Sequence, residues 1–390
     1  MSTTETPTAL AGVRVLELGG DSSYAIPYAT RLLADLGADV VIVEEPEGHP
    51  LRRVCHMSEN PRVAHHMFEF FARGKRSVTL RLADDEARPA LERLIRWADV
   101  IVDGLGAGVL AGLGFDDDKL RALRSGAVVV HASDWGSTGP YRDRPATGIT
   151  LQAAAGWVSN RHEPGLPFVQ VGGQMHEWIA GAYIAAAVMT GRAWVRRTGE
   201  SVTADFSLFE CIHSTIPYTH LLIESNAEMG LGATAPVYTP FGIRPCRDGW
   251  VGINILTGQH WVDACTLMGL DDFSDKQQEL MRGEGDIPEF ERRLLSWLSE
   301  RTVSEVVELG QAMRIPVVPV PPGSSIHKLA QWVERPFFLE CTHDGQTRIE
   351  PGPPWRLRRT PARRVGSAPR PGEHTEELLG SSTHVTEEAR

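Results

Sequence analysis

This 390-residue chain is short of several things, and each shortage removes a class of function. Cysteine is scarce: Cys55, Cys211, Cys246, Cys265 and Cys341 are scattered, odd in number, and no two have C-x-x-C spacing. That argues against a zinc site or a disulfide framework and for reduced thiols in a cytoplasmic protein. Positive charge is in deficit: 39 Lys and Arg stand against 50 Asp and Glu, a net charge of −11. General nucleic-acid binding is therefore not expected, although local basic patches can still hold phosphates. No apolar run approaches the roughly 20 residues of a membrane span, and Met1 to Pro7 is a polar stretch with no signal-peptide core, so no membrane association is expected. The G-x-G-x-x-G fingerprint of dinucleotide sites is missing as well. His56, His65 and His66 lack acidic or cysteine partners at helical offsets, so no metal is expected there.

What is present begins with Val13 to Leu18, an apolar run of the kind a buried parallel strand needs. Turn and N-cap residues, Gly19 to Ser23, break it. Ala25 to Leu36 then places Ile26, Ala29, Leu32, Leu33 and Leu36 on one helical face, with Gly37 where a C-terminal glycine belongs. Asp39 to Val43 is a second apolar strand. Strand, turn, helix and strand make a βαβ unit, hence a parallel sheet with a right-handed crossover. Ligands of open α/β sheets lie beyond the carboxyl ends of the strands, which puts Leu18 to Ser23 and Glu45 to Arg53 at the rim of a site.

Further strands are expected at Ser77 to Leu82, Asp99 to Val102, Val128 to Ala132 and Ser201 to Leu208. A long, Ala-rich helix should start at His176 or Glu177 and run to about Arg196, its small residues (Gly181, Ala182, Ala185) permitting close packing. After a loose run, 223–235, the alternation from Pro236 to Ile255 reads as antiparallel strands, followed by helices at Trp261 to Met268, Pro288 to Leu298 and Val303 to Met313. The expected division is a large α/β domain over 1–222 completed by 323–390, a linker at 223–235, a small α+β domain at 236–314, and a return linker at 315–322.

Arg73, Lys75 and Arg76 crowd around Gly74 just before a strand. Such a basic turn fits a phosphate holder and a solvated charged turn about equally well.

The segment LAGVRVLELGGDSSYAIPYATRLLADLGADVVIVEEPEGHPLRR resembles the amino terminus of the family III CoA-transferases, which include formyl-CoA and carnitine CoA-transferases and α-methylacyl-CoA racemases. LADLGADVVIVEEPEG followed by Arg52 is its most specific part. HASDWGSTGPYRDRP and the Pro- and Arg-rich tail extend the resemblance from Leu10 to Leu379. The resemblance implies a Rossmann-like large domain, a smaller α+β domain and an interlocked dimer. It favours the phosphate reading for the basic turn. Leu18, Gly19, Arg52, Arg53, Arg73, Lys75, Arg76, Asp103, Gly104 and Leu105 become expected contacts of coenzyme A, with Arg52 or Arg53, Lys75 and Arg76 holding its phosphates. The family's usual E-N-F-R-P-G loop reads Asp103-Gly104-Leu105-Gly106-Ala107-Gly108 here, so CoA is expected to sit differently or bind more weakly.

The family's nucleophile is an aspartate at a helix start, four residues before a glycine. Glu177, four residues before Gly181, is the corresponding candidate, with Trp135, Gly172, Gly173 and His176 around the substrate. Its implied role is to carry acyl and CoA groups in turn, through a mixed anhydride and an enzyme thioester. Helix amino-terminal N–H groups would stabilise charge there. Acyl-CoA and a carboxylic acid are then the substrates, with no tightly bound cofactor and no metal. Two other readings compete. In the racemases the pair matching Thr147-Gly148 is His-Asp, and this chain has neither, which counts against a racemase, isomerase or dehydratase. The altered loop and the Asp-to-Glu change feed a third reading, an inactive subunit paired with an active paralogue.

Overall fold

The computed structural model describes residues 7–19, 23–56, 58–159, 167–216, 221, 224–225, 228, 240–343, 346–362 and 366–380. Two compact units emerge: Met1–His162 with Pro167–Tyr218 and Leu339–Arg390, and Glu163–Leu166 with Thr219–Phe338.

The first unit is built on six parallel strands, β1 (Arg14–Gly19), β2 (Asp39–Glu44), β3 (Arg76–Thr79), β4 (Val100–Gly104), β5 (Val128–Ser133) and β6 (Val202–Ser207). Their order across the sheet is β3-β2-β1-β4-β5-β6. The chain starts in the middle, builds outward to β3, then returns to lay β4 on the other side of β1. Connections therefore leave β1 and β4 in opposite directions, and a crevice opens at their carboxyl ends. The inner strands are apolar on both faces because helices cover both: Val40 to Val43 are all buried.

The helices are α1 (Ala25–Asp35), α2 (Pro61–Ala72), α3 (Arg88–Trp97), α4 (Val109–Gly112), α5 (Asp117–Leu123), α6 (Gly148–Ala154), α7 (Met175–Thr198) and α8 (Leu208–Ser214). One face of the sheet (Val15, Val100, Val102, Val130) packs against Ile26 and Leu33 of α1 and Ile184 and Val188 of α7. The other face (Leu16, Leu18, Val41, Ile101) packs against Leu91, Leu94 and Ile95 of α3 and Leu120 of α5. Each such side chain contributes about 1.5–3 kcal/mol by leaving water.

Glycine sets how closely α7 approaches α1. A Cβ on Gly181 would lie 2.6 Å from the Ala25 carbonyl oxygen and 3.0 Å from Tyr28 Cδ1. No other residue type allows that approach, and it occurs one turn from Glu177. Further along α7, a Cβ on Gly191 would strike Val128 Cγ1 at 2.6 Å.

The second unit has an antiparallel sheet of β7 (Gly242–Pro245), β8 (Trp250–Ile253) and β9 (Val317–Pro319), in that order. Helices Gly258–Met268, Ile287–Ser299 and Val303–Ala312 enclose a core in which Trp261 stacks on Phe290, centroids 5.6 Å apart. The expected return linker at 315–322 is corrected here. Val317 pairs with Ile253, so this stretch is a strand of the small sheet, and the first unit resumes at Leu339 rather than at 323. A β-strand needs a partner ladder, and that partner is about 65 residues away, outside the reach of local pattern. The expected linker 223–235 lies almost wholly outside the described residues. Two strands, β10 (Phe338–His343) and β11 (Gln346–Pro351), pair with each other. The helix Thr375–Leu379 docks on β3 through Thr79 N–H to Thr375 Oγ1, 3.1 Å, and His374 N–H to the Ser77 carbonyl, 2.9 Å.

Candidate active site

Glu177 lies in the first turn of α7 and is 7% exposed. A glutamate three residues into a helix commonly folds back onto its own N-cap N–H. This one reaches across the chain: its Oε2 accepts the backbone N–H of Tyr24, the N-cap residue of α1, at 2.8 Å. The carboxylate thus sits where two helix amino ends meet, a place that favours negative charge. Gln174, which precedes α7, holds a left-handed φ of 54°, and its carbonyl accepts Glu177 N–H at 2.9 Å. Non-glycine residues pay for that conformation, and such strain clusters at functional sites.

Tyr24 is itself clamped. It is fully buried, its hydroxyl lies 3.5 Å from Cys55 Sγ and accepts His56 N–H at 3.2 Å, and its ring packs on Phe71 and Trp178. Burial, reinforced by the Cys55 thiol, raises the phenol above its ordinary range, so it stays protonated. His176 is 1% exposed, with Nε2 3.8 Å from Glu177 Oε1. Burial, with His56 adding to it, lowers its pKa from 6.5 to about 4, so the ring is neutral near pH 7.

Beside this cluster lies the β1/β4 crevice, about 380 Å³, lined by Ser23, Ala25 and Ile26 from the start of α1, Gly104 to Ala107 after β4, Ser133 to Trp135 after β5, Arg142, Arg144 and Leu208. A second cavity of about 550 Å³ opens where α5 approaches the ends of β4 and β5; Asp103, Asp117, Arg121, His131 and Asp205 are among its lining residues. His131 bridges Asp103 (2.7 Å) and Asp117 (3.0 Å), and the Asp103 bond above all raises its pKa from 6.5 to about 9.

Residues 10–375 match the model of CoA-transferase family III. The chain belongs to that family. Among characterised relatives, it is 26% identical to the succinate–glutarate CoA-transferase of Agrobacterium fabrum over 95% of this chain and 94% of that one. It is also 26% identical to subunit BbsE of the succinyl-CoA:(R)-benzylsuccinate CoA-transferase of Thauera aromatica, covering 94% and 92%, and 27% identical to the beta subunit of the succinyl-CoA–L-malate CoA-transferase of Chloroflexus aurantiacus, covering 97% and 95%. The crystal structure of Rv3272 from Mycobacterium tuberculosis shares the fold, with a TM-score of 0.79 at 24% identity over 96% of this chain and 99% of that one. The α/β architecture expected from the sequence is therefore that of family III.

Within this family III chain the expected CoA contacts separate. Gly104 and Leu105 line the crevice; Leu18 is wholly buried beneath it, and Gly19 ends β1. The adjoining residues 20–22 lie outside the described residues. Asp103 points away, bonded to His131 and to Leu105 N–H. The three cations of the basic cluster diverge, each on a carboxylate. Lys75 is wholly buried, its Nζ 2.9 Å from Glu17 Oε2 and 2.7 Å from Thr30 Oγ1. Arg73 pairs with Glu350 at 2.9 Å, and Arg76 with Asp39 and Glu377. Arg52 is bidentate on buried Glu44 and lies over the Phe68 ring. Arg53 is exposed, donating to the Glu47 carbonyl. Arg73 closes α2, Lys75 lies in the turn after Gly74 (φ 71°) and only Arg76 is on β3, so the turn sends the three side chains apart, and the sequence did not show where their carboxylates lay. Arg142 and Arg144, on the crevice itself, were overlooked: their signal was two arginines after a Gly-Pro turn. Trp135 lines the crevice and donates to the Arg144 carbonyl at 3.0 Å. Gly172 and Gly173 are exposed just before α7. Of the three histidines considered for metal, His65 does have an acidic partner one helical turn on, Glu69 at 4.0 Å, contrary to the expectation, and lies beside His66, while His56 packs tilted at 59° against Tyr24. No group of metal-ligating side chains occurs among the described residues, and none of their helices is long and apolar enough to cross a membrane.

Proposed function

We propose that this family III protein moves coenzyme A between an acyl-CoA thioester and a carboxylic acid, with Glu177 as the nucleophile. The observation that carries the reading is a buried carboxylate fixed by Tyr24 N–H where two helix amino ends meet, Tyr24 standing between Ser23 and Ala25, which line the crevice. Oε1 attacks the thioester carbonyl and expels CoA thiolate, giving a mixed anhydride. The thiolate attacks the anhydride at the Glu177 carbonyl, releasing the first acid and leaving a glutamyl thioester. The acceptor carboxylate reverses these two steps. Overall one thioester is exchanged for another at nearly equal energy, so no ATP enters. Arg142 and Arg144 supply cations for the phosphates from the crevice wall. Arg53, exposed and expected at the rim from the sequence, joins them in this reading.

Several relatives carry succinyl-CoA in their names, which makes it the first donor to assay. Incubation with succinyl-CoA, then hydroxylamine and peptide mass mapping, should place a hydroxamate on Glu177. Full turnover by Glu177→Gln ends the reading.

A racemase is disfavoured for a physical reason. Thr147 is spent capping α6, and a Cβ on Gly148 would lie 2.7 Å from His176 Cε1, so an aspartate does not fit there without moving the ring. The subunit names of two relatives support the heteromeric alternative, in which activity appears only with a paralogue. For the assembly we propose the family's interlocked dimer. Its support is the apolar side left exposed on α7: Tyr183 47%, Met189 40% and Trp194 38%. A monomer in sedimentation contradicts it. A cytoplasmic setting fits the absence of disulfides among the five cysteines.

A further inference from the structure

We infer that Gln152 is a positioning residue that fixes His176 as the neutral Nε2–H tautomer, so that His176 offers a hydrogen-bond donor to the oxygen that gains charge beside Glu177.

The inference follows from a chain of hydrogen bonds with one consistent assignment. Val171 presents a backbone N–H and a carbonyl to the same side-chain amide. Its N–H, which can only donate, lies 2.8 Å from Gln152 Oε1, and its carbonyl, which can only accept, lies 3.3 Å from Gln152 Nε2. The pair fixes which end of the amide is nitrogen. That nitrogen also lies 3.2 Å from His176 Nδ1. Having only protons to offer, it obliges Nδ1 to be the bare acceptor. A neutral ring must then carry its proton on Nε2. Burial keeps it neutral: Gln152 is 0% and His176 1% exposed, and the titratable groups near the ring are Glu177 and His56.

Nε2 is aimed usefully. It lies 3.8 Å from Glu177 Oε1, beyond hydrogen-bond reach, and Gly148 flanks it so closely that any side chain there would touch the ring. Because Tyr24 holds Oε2, Oε1 is the oxygen on the His176 side. A thioester carbonyl attacked by Oε1 develops its negative oxygen within reach of Nε2–H. A neutral donor held rigidly there needs no reorganisation as charge grows, and no proton has to be transferred. This half of the inference rests on Glu177 being the nucleophile; the tautomer does not.

The test uses the full-length protein labelled with ¹⁵N-histidine. Long-range ¹⁵N–¹H spectra, with His176→Gln assigning the signal among 14 histidines, should show His176 bare at Nδ1 and protonated at Nε2 from pH 5.5 to 8. Protonation at Nδ1 in the wild type overturns the inference. Gln152→Glu, which can accept but not donate to Nδ1, should move the proton to Nδ1 and lower kcat at least tenfold with KM for the thioester unchanged. His176→Ala should lose on the order of a hundredfold in kcat, while His176→Gln, which keeps an N–H, stays within about tenfold. Equal kcat for wild type and His176→Ala overturns the donor role. If Gln152→Glu does not fold, the wild-type spectrum and the two His176 variants decide alone. Hydroxylamine mapping on the same samples separates the two readings. No label on wild-type Glu177 sinks the nucleophile; a label with undiminished His176→Ala turnover sinks only the donor.

Discussion

Replacing Gly181 with alanine should damage turnover far more than stability. The new Cβ falls 2.6 Å from the Ala25 carbonyl oxygen, roughly half an ångström inside the closest comfortable contact, and backbone cannot swing away as a side chain can. Either α7 lifts off α1 or α1 shifts along the sheet. Overpacking of this kind costs about 1–3 kcal/mol, and alanine returns about 1 kcal/mol through its better helix propensity, so the net loss of stability is small. Geometry has no such compensation. The Glu177 to Tyr24 N–H bond, 2.8 Å long, lies one turn away on the same two helices, and a displacement of about 0.5–1 Å there should lower kcat by ten- to a hundredfold. Gly191→Ala is the control. Its Cβ meets Val128 at the same 2.6 Å, but about 15 Å further along the helix axis than Gly181 and about 21 Å from Glu177. It should shift the melting temperature like Gly181→Ala while leaving kcat nearly intact. Turnover with succinyl-CoA and thermal melts of both variants provide the measurement. A Gly181→Ala enzyme within twofold of wild-type kcat, or equal losses of kcat in both variants, refutes the reasoning.

Other outcomes follow from the placement of charge. Arg142→Ala and Arg144→Ala should each raise KM for the acyl-CoA several-fold with little change in kcat, measured by steady-state kinetics, because the proposed function has these crevice residues hold phosphate and not the reacting carbonyl. Lys75→Met should leave KM alone but cost about 3–5 kcal/mol in urea unfolding by stranding Glu17, whereas the Lys75→Met, Glu17→Leu pair should recover most of it. His131 titrates at about 9 in the fold and 6.5 when unfolded. Its contribution is therefore complete below pH 6.5 and lost as pH rises through 9. About 1–2 kcal/mol, discounted for partial exposure, should disappear over that window in thermal melts of the wild type and be absent from His131→Gln.

The β1–α1–β2 unit was legible because its signals are local: an apolar run, turn residues, a 3.6-residue stripe and a terminal glycine all fall within a few residues of one another. Glu177 at a helix start was legible for the same reason, since α7 begins within two residues of the expected place. Val317–Pro319 was not, because a three-residue strand exists only through its partner, and β8 is remote in sequence. The partners of Lys75 and its neighbours were not legible, because the anion a cation meets is fixed by the fold. Glu17, Glu350 and Glu377 come from segments that only the folded sheet and the returning tail bring near.

Local pattern thus determined the parallel sheet, its helices and the start of α7, since propensity and periodicity act over a few residues, while the family resemblance in the sequence singled out Glu177 there. Only tertiary structure decided what that carboxylate touches. The Tyr24 N–H that holds it and the Gln152 amide bonded to the neighbouring His176 are long-range partners, and hydrogen-bond geometry has no signature along the chain.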